Sequence, residues 1–332
     1  MTEFFNQLVI GLSLGALYAL IAVGYTVVYG IVQLINFAHG EVFMIGAFGA
    51  FGTWTVLSSV TNVTTALWVL PVMIVGAVAC SVLVAVLMER FAYRPLRNAP
   101  RLAPLITAIG VSVFLQEFVR LNCFSRVCFS ENFRDGNPLT FWGAFPDAKS
   151  KIPFPQIDGV TGPGPTIGGV TIQKSAIFTV VALAVCAALL WYFVNRTKLG
   201  RAMQAVSQDP DTAKLMGINV DRIIVVAFVL GAVLAAVAGV AQGLQNANID
   251  YRIGFLAGLK AFTAAVLGGI GNIQGAVVGG LFLGVVEAMA STYIPGQFGG
   301  SAWKDVWAFV LLIIVLVFRP QGLLGARVVD RA

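Results

Sequence analysis

Apolar residues run along this chain in long blocks separated by short polar punctuation. The first block extends from Phe5 to about Gly30, the second from Val42 to about Val60 and the third from Ala66 to Met88. Three more cover Pro104 to about Leu121, Ala176 to Val194 and Ile223 to about Leu244, and a short last one covers Val306–Phe318. Between the last two lies a glycine-interrupted apolar stretch from Gly254 to Ser291. Blocks of about 18–25 residues match the helix length that crosses a ~30 Å hydrocarbon core. The ~10-residue alternating segments of a membrane β-barrel are missing. The pattern predicts an all-α polytopic membrane protein with roughly eight to ten crossings, some short or broken. It forms a single transmembrane domain over residues 1–332.

Composition agrees. Of the 332 residues, 58% are hydrophobic and only 11% charged, against about 25% charged in an ordinary soluble domain. A net charge of +6 is explained by topology, so the expected partner surface is membrane lipid and not nucleic acid. The polar stretch ERFAYRPLRNAPR carries Arg90, Arg94, Arg97 and Arg101 and is cytoplasmic by the positive-inside rule. Counting from it places the N-terminus outside, in keeping with MTEFF, which lacks the basic start of a signal peptide. The external loop at about 122–173 is rich in Pro and Gly, and is expected to form turns and short extended pieces. Arg319, Arg327 and Arg331 put the C-terminus inside. Cys80 and Cys186 lie in apolar runs and read as small hydrophobes. Cys123 and Cys128 flank Arg126 in the external loop, as a possible disulfide or as two free thiols.

Two segments interrupt the apolar pattern in the same manner. INFAHGE sets Asn36, His39 (the chain's one histidine) and Glu41 between two spans. LGGIGNIQGA sets Asn272 and Gln274 among four glycines. Backbone leaving a helix at membrane depth must be buried in protein or face a wet cavity, and paired interruptions point to a translocation path. Asn36, His39, Glu41, Asn272 and Gln274 are therefore candidates for a polar lining, joined by Glu287 in GVVEAMAS. The plainer alternative keeps His39 as an interhelical tie and Glu41 as a cap on the amides of the second span. Glu117 and Arg120 read as an interfacial ion pair.

A cytoplasmic segment at about 196–222 contains NRTKLGRAMQAVSQDPDTAKLMGINVDR's two short surface helices. One covers Arg201–Ser207; in the other Asp209 is the N-cap, Pro210 the first helical residue and Gly217 the C′ residue. No G-x-x-x-x-G-K-[ST] phosphate loop occurs, one histidine builds no metal cluster, and no Ser/His/Asp set is legible, so an enzyme is not expected.

INFAHGEVFMIGAF, ERFAYRPLRNAPRLAPLITAIGVSVFLQ, LGRAMQAVSQDPDTAKLMGINVDR and KAFTAAVLGGIGNIQGAVVGGLFLGVVEA, in this order, closely resemble the permease subunits of bacterial ABC importers for branched-chain amino acids. The resemblance spans nearly the whole chain outside 122–173. It implies the ABC-importer permease fold, a multi-pass inner-membrane location and no cofactor of its own, ATP being used by partner subunits. Those partners would be a second homologous permease, two ABC ATPases and a periplasmic amino-acid-binding protein. It further implies that Gly200, Arg201, Asp209, Pro210, Asp211, Ala213 and Gly217 belong to an ATPase-coupling segment. Alternatives are a relative carrying urea, amides or other amino acids, a proton-coupled carrier using Glu41, His39 and Glu287, and a passive channel.

Overall fold

The computed structural model describes residues 2–34, 36–61, 65–97, 99–100, 102–121, 151–296, 300, 303–319 and 321–325. Eleven α-helices are formed among them. The first five are α1 (Thr2–Val32), α2 (His39–Thr61), α3 (Val69–Met88), α4 (Leu102–Leu121) and α5 (Lys174–Arg196). Then come the short α6 (Lys198–Gln208) and α7 (Pro210–Leu215), followed by α8 (Val220–Asn246), α9 (Ile253–Gly268), α10 (Ile273–Tyr293) and α11 (Lys304–Phe318). Seven are long and apolar enough to cross a membrane; α9 and α11 are shorter, and counting them as crossings gives nine. Cys123 and Cys128 lie outside the described residues.

Small residues decide which helices occupy the centre. In lipid no hydrophobic drive separates helix from solvent, so close van der Waals packing selects the neighbours. α1 lies along α10, with Gly11, Gly15 and Ala19 meeting Val285, Leu281, Gly280 and Gly284. A methyl on Gly15 would sit 2.7 Å from Leu281 Cα and 2.8 Å from its carbonyl oxygen. α8, equally rich in Ala and Gly, packs on α1, α2 and α3, and Gln245 Nε2 donates to Ser13 Oγ at 2.5 Å. α1, α2 and α8 are the most buried spans, while α3, α4 and α5 turn Leu, Val and Phe side chains outward.

The segments expected on opposite sides of the membrane lie at opposite ends of α8. At one, β1 (Ile152–Pro153) pairs antiparallel with β4 (Asn248–Ile249), and β2 (Pro163–Ile167) with β3 (Val170–Gln173). Phe154 fills the space left by Gly243, and Ile157 is fully buried beside Ile249 and Met73. The N-terminal Thr2 approaches Gly169 on this same face. Residues 151–173 thus consist of the short extended pieces and turns expected of the external loop. On the opposite face, Arg94 and Arg97 pair with Asp221 at the start of α8. The expected pair of Arg120 with Glu117 forms on α4, with Nε 2.7 Å from Oε2. Cys80 and Cys186 are free and partly buried.

Candidate functional site

Both expected helix breaks exist, and each is sealed by a polar side chain. α1 ends as Gln33 enters the left-handed region (φ +53°) with its amide on the Tyr29 carbonyl at 2.8 Å. The chain re-enters helix at His39, the start of α2. Asn36, almost fully buried, organises this return: its Oδ1 accepts from the Ala38 amide at 3.0 Å and from the Tyr93 hydroxyl at 2.6 Å. A buried backbone donor without a partner would cost about 1–3 kcal/mol, so this double acceptor is what permits the break.

His39 stands in a niche formed by two glycines. Its ring meets Gly24 of α1 and Gly231 of α8 and lies edge-on to Tyr25 (centroids 4.7 Å apart). Nε2 has no partner. Glu41, fully buried, does not cap the α2 amides: its carboxylate points to α4. There Oε1 accepts from Ser112 Oγ at 3.0 Å and Gln116 Nε2 at 2.9 Å, while Oε2 abuts Gly254 without a donor.

At the second break, α9 ends at Gly268, and Gly269 and Gly271 take φ +104° and +95°. Asn272 caps α10, its Oδ1 accepting from the amides of Gln274 (3.0 Å) and Gly275 (3.3 Å). The orphan carbonyls at the end of α9 are met by the chain's own later residues. Leu323 N donates to Leu267 O at 2.8 Å, Leu324 N to Gly268 O at 3.0 Å, and Asn272 Nδ2 to Leu324 O at 2.9 Å. Gln274 is exposed.

Two separate recesses border these places. One is a narrow cleft with room for no more than about a water molecule; it has Tyr25, Tyr29, Asn36, Phe262, Ala265 and Ile270 on its walls, so each break contributes to it. The other, wider and more open, is lined by Gly30 and Gly271 and by Met203, Gln204 and Ser207 of α6. Of the six candidates for a polar lining, Asn36 reaches a recess; His39, Glu41 and Glu287 are packed in protein.

Glu287 belongs to a cluster that the sequence reading missed. Its Oε1 lies 2.7 Å from Lys260 Nζ and 3.3 Å from the Tyr18 hydroxyl, which donates to it. Lys260 Nζ also donates to the Tyr18 oxygen at 3.2 Å and pairs with Asp305 Oδ1 at 2.5 Å. One cation thus serves two carboxylates from α10 and α11. Lys260 was legible as a lone cation in GFLAGLKAFTAAVLGG, since such a residue inside an apolar run calls for a partner.

The cytoplasmic segment forms as its residues dictate. Thr197 caps α6 by accepting from Gly200 N at 3.0 Å, and any side chain at Gly200 would strike the Val194 and Phe193 carbonyls. Met203 and Val206 face inward and Arg201 outward, so α6 lies on the bundle surface. Asp209 caps α7, accepting from Asp211 N (3.0 Å) and Thr212 N (3.1 Å), and its carboxyl is held below the usual range by the Thr212 hydroxyl and these amides. Pro210 follows at the first helical position. Gly217 (φ +81°) closes the helix: its amide donates to Lys214 O at 3.0 Å and that of Ile218 to Ala213 O at 3.1 Å, the two bonds of a Schellman motif. Ala213 is buried, whereas Asp211, Lys214, Leu215 and Met216 are exposed. Leu215 and Met216 keep 87% and 79% of their surface, an apolar tip on an otherwise polar turn.

The model of the branched-chain amino acid transport system / permease component family matches residues 7–316. The chain belongs to that family. As a permease component, it is 44% identical over 333 residues to the high-affinity branched-chain amino acid transport system permease protein BraD of Pseudomonas aeruginosa, covering 99% of this chain and 98% of BraD. It is 42% identical over 331 residues to LivH of Escherichia coli, covering 99% and 97% of the two chains. Among solved structures, PsaBC from Streptococcus pneumoniae in complex with Fab aligns over 97% of this permease and 93% of that chain, at a TM-score of 0.46 and 12% identity. Among the described residues no group of His, Cys, Asp or Glu side chains is arranged to hold a metal ion.

Proposed function

We propose that this permease is a transmembrane subunit of an ABC importer that carries leucine, isoleucine and valine across the bacterial inner membrane. It works with a second homologous permease, two ATPase subunits docked from the cytoplasm and a periplasmic amino-acid-binding protein. Near full-length similarity to two permeases of branched-chain amino acid transport supports the substrate class. The observation that carries the division of labour is the α6–α7 segment: a capped, Schellman-closed helix that presents Leu215 and Met216 to water between two spans. Exposed aliphatic side chains on a rigid turn are what a groove on another subunit accepts. Closure of the ATPases on ATP would move this turn, with α5 and α8 following.

A proton-coupled carrier would need its titratable groups to communicate. Glu41 is engaged with Ser112 and Gln116, and Glu287 with Lys260 and Tyr18, in separate clusters. The test is purification through an affinity tag on this chain. Two ATPase subunits and a second permease should co-purify, and the binding protein that stimulates their ATP hydrolysis should bind leucine. Isolation of this chain alone, or a binding protein selective for urea, would refute the reading.

A further inference from the structure

The cytoplasmic end of α3 is unusual. Instead of fraying, it widens into a π-turn over Glu89–Tyr93, closed by Arg94 N donating to Glu89 O five residues back. Single π-turns inside helices are rare and concentrate at working sites. This one places three side chains on three different elements. Buried Glu89 pairs with Arg97, which also pairs with Asp221 at the first turn of α8. Arg94 Nη2 adds a second bond to Asp221 at 2.7 Å. Tyr93 donates to Asn36 Oδ1 at 2.6 Å and leans on Phe228 of α8, centroids 5.4 Å apart. Asp221 lies two residues past Asn219, the α8 N-cap, and four past Gly217, where the coupling turn closes.

These contacts form one continuous chain from the coupling segment to the first helix break: Asp221, Arg97, Glu89, the π-turn, Tyr93, Asn36. We propose that Arg97, with Asp221 and Tyr93, is a positioning residue for coupled transport, linking movement of the 196–222 segment to the geometry of the 33–38 break. The proposal rests on the ATPase-coupling reading above. Coupling along such a chain requires a two-state element that both ends bias; the π-turn, one residue per turn wider than its α neighbours, is that element. The ion pairs at Asp221 are half exposed, so their loss leaves the fold intact. Arg97 itself cannot be removed cleanly, because Glu89 would be left buried without its cation.

The test therefore uses Asp221→Asn, Asp221→Glu and Tyr93→Phe in the complete reconstituted importer. Leucine uptake and ATP hydrolysis are measured in the same proteoliposomes. D221N and Y93F should assemble with the ATPases and hydrolyse ATP, while leucine moved per ATP falls about fivefold, the lower range of measured couplings. D221E should restore the ratio, and the D221N/Y93F double variant should be no worse than either single, as one relay demands. An unchanged ratio in D221N, or losses that multiply in the double variant, would overturn the relay while leaving the coupling reading intact. Failure of the unaltered chain to bind ATPases would instead overturn that reading.

Discussion

Replacing Lys260 with Met removes the one cation of a buried cluster. Its ammonium lies 2.7 Å from Glu287 and 2.5 Å from Asp305. At an effective dielectric of about 20, each contact is worth about 6 kcal/mol of Coulomb attraction. Desolvating each ion costs several kcal/mol, so the assembled cluster is close to neutral against an apolar replacement. Removing one partner is different, because Glu287, 2% exposed, would keep its charge without compensation. K260M should therefore destabilise the protein by about 3–5 kcal/mol. Asp305 adds less to the deficit than Glu287, since its side chain is 37% exposed. Lys260→Met with Glu287→Leu should recover most of the loss, leaving a coupling energy of about 2 kcal/mol or more in the double-mutant cycle. Denaturant unfolding of the purified protein in mixed micelles, followed by tryptophan fluorescence, measures each corner. If K260M unfolds within about 0.5 kcal/mol of the unaltered protein, or the double variant is as weak as the single, the cluster is not the buried ion pair described.

Other consequences follow from single contacts. Gly15→Val forces a side chain into Leu281 backbone atoms at 2.7 and 2.8 Å and should cost about 3 kcal/mol; Gly110→Ala, on an open face of α4, should gain about 0.5–1 kcal/mol, both read by the same unfolding assay. Gly217→Val places a β-branched residue at φ +81°, at a local cost of about 1–3 kcal/mol; uptake should fall while ATP hydrolysis by the assembled complex persists, and normal transport would sink the role given to α7. Asp209 is held below its usual pKa of 3.8, so the stabilisation of its cap is present above the unfolded value and is lost as pH falls through the lower, folded one. Exchange protection of the α7 amides should therefore persist to pH values at which an ordinary Asp has protonated, then collapse. In Asp209→Asn the protection should not depend on this titration, because Asn caps without a charge.

How much of this was legible in the chain depends on the range of the interaction. Spans, the Asp209 cap and the Gly217 terminator are set within one or two turns, by hydropathy, glycine and local hydrogen bonding, and they appear where the residues put them. The two breaks were legible for the same reason: Asn and Gly interrupt an apolar run. What fills each break was not. Tyr93 meets Asn36 across 57 positions, and Leu324 meets Asn272 across 52; nothing in a local pattern encodes such pairings. Glu41 shows the limit from another side, since a cap fits its position in INFAHGE, and the structure turns its carboxylate away from the α2 amides to Ser112 and Gln116. Lys260 and Glu287 were each visible as isolated charges in apolar helices, but their meeting depends on how α9 crosses α10.

The most direct test of the account is leucine uptake into proteoliposomes holding either the complete importer or this chain alone. The account predicts ATP-dependent uptake by the complete importer in the presence of its binding protein, and no uptake by the lone chain under a proton gradient. Gradient-driven or passive leucine flux through the lone chain would contradict it.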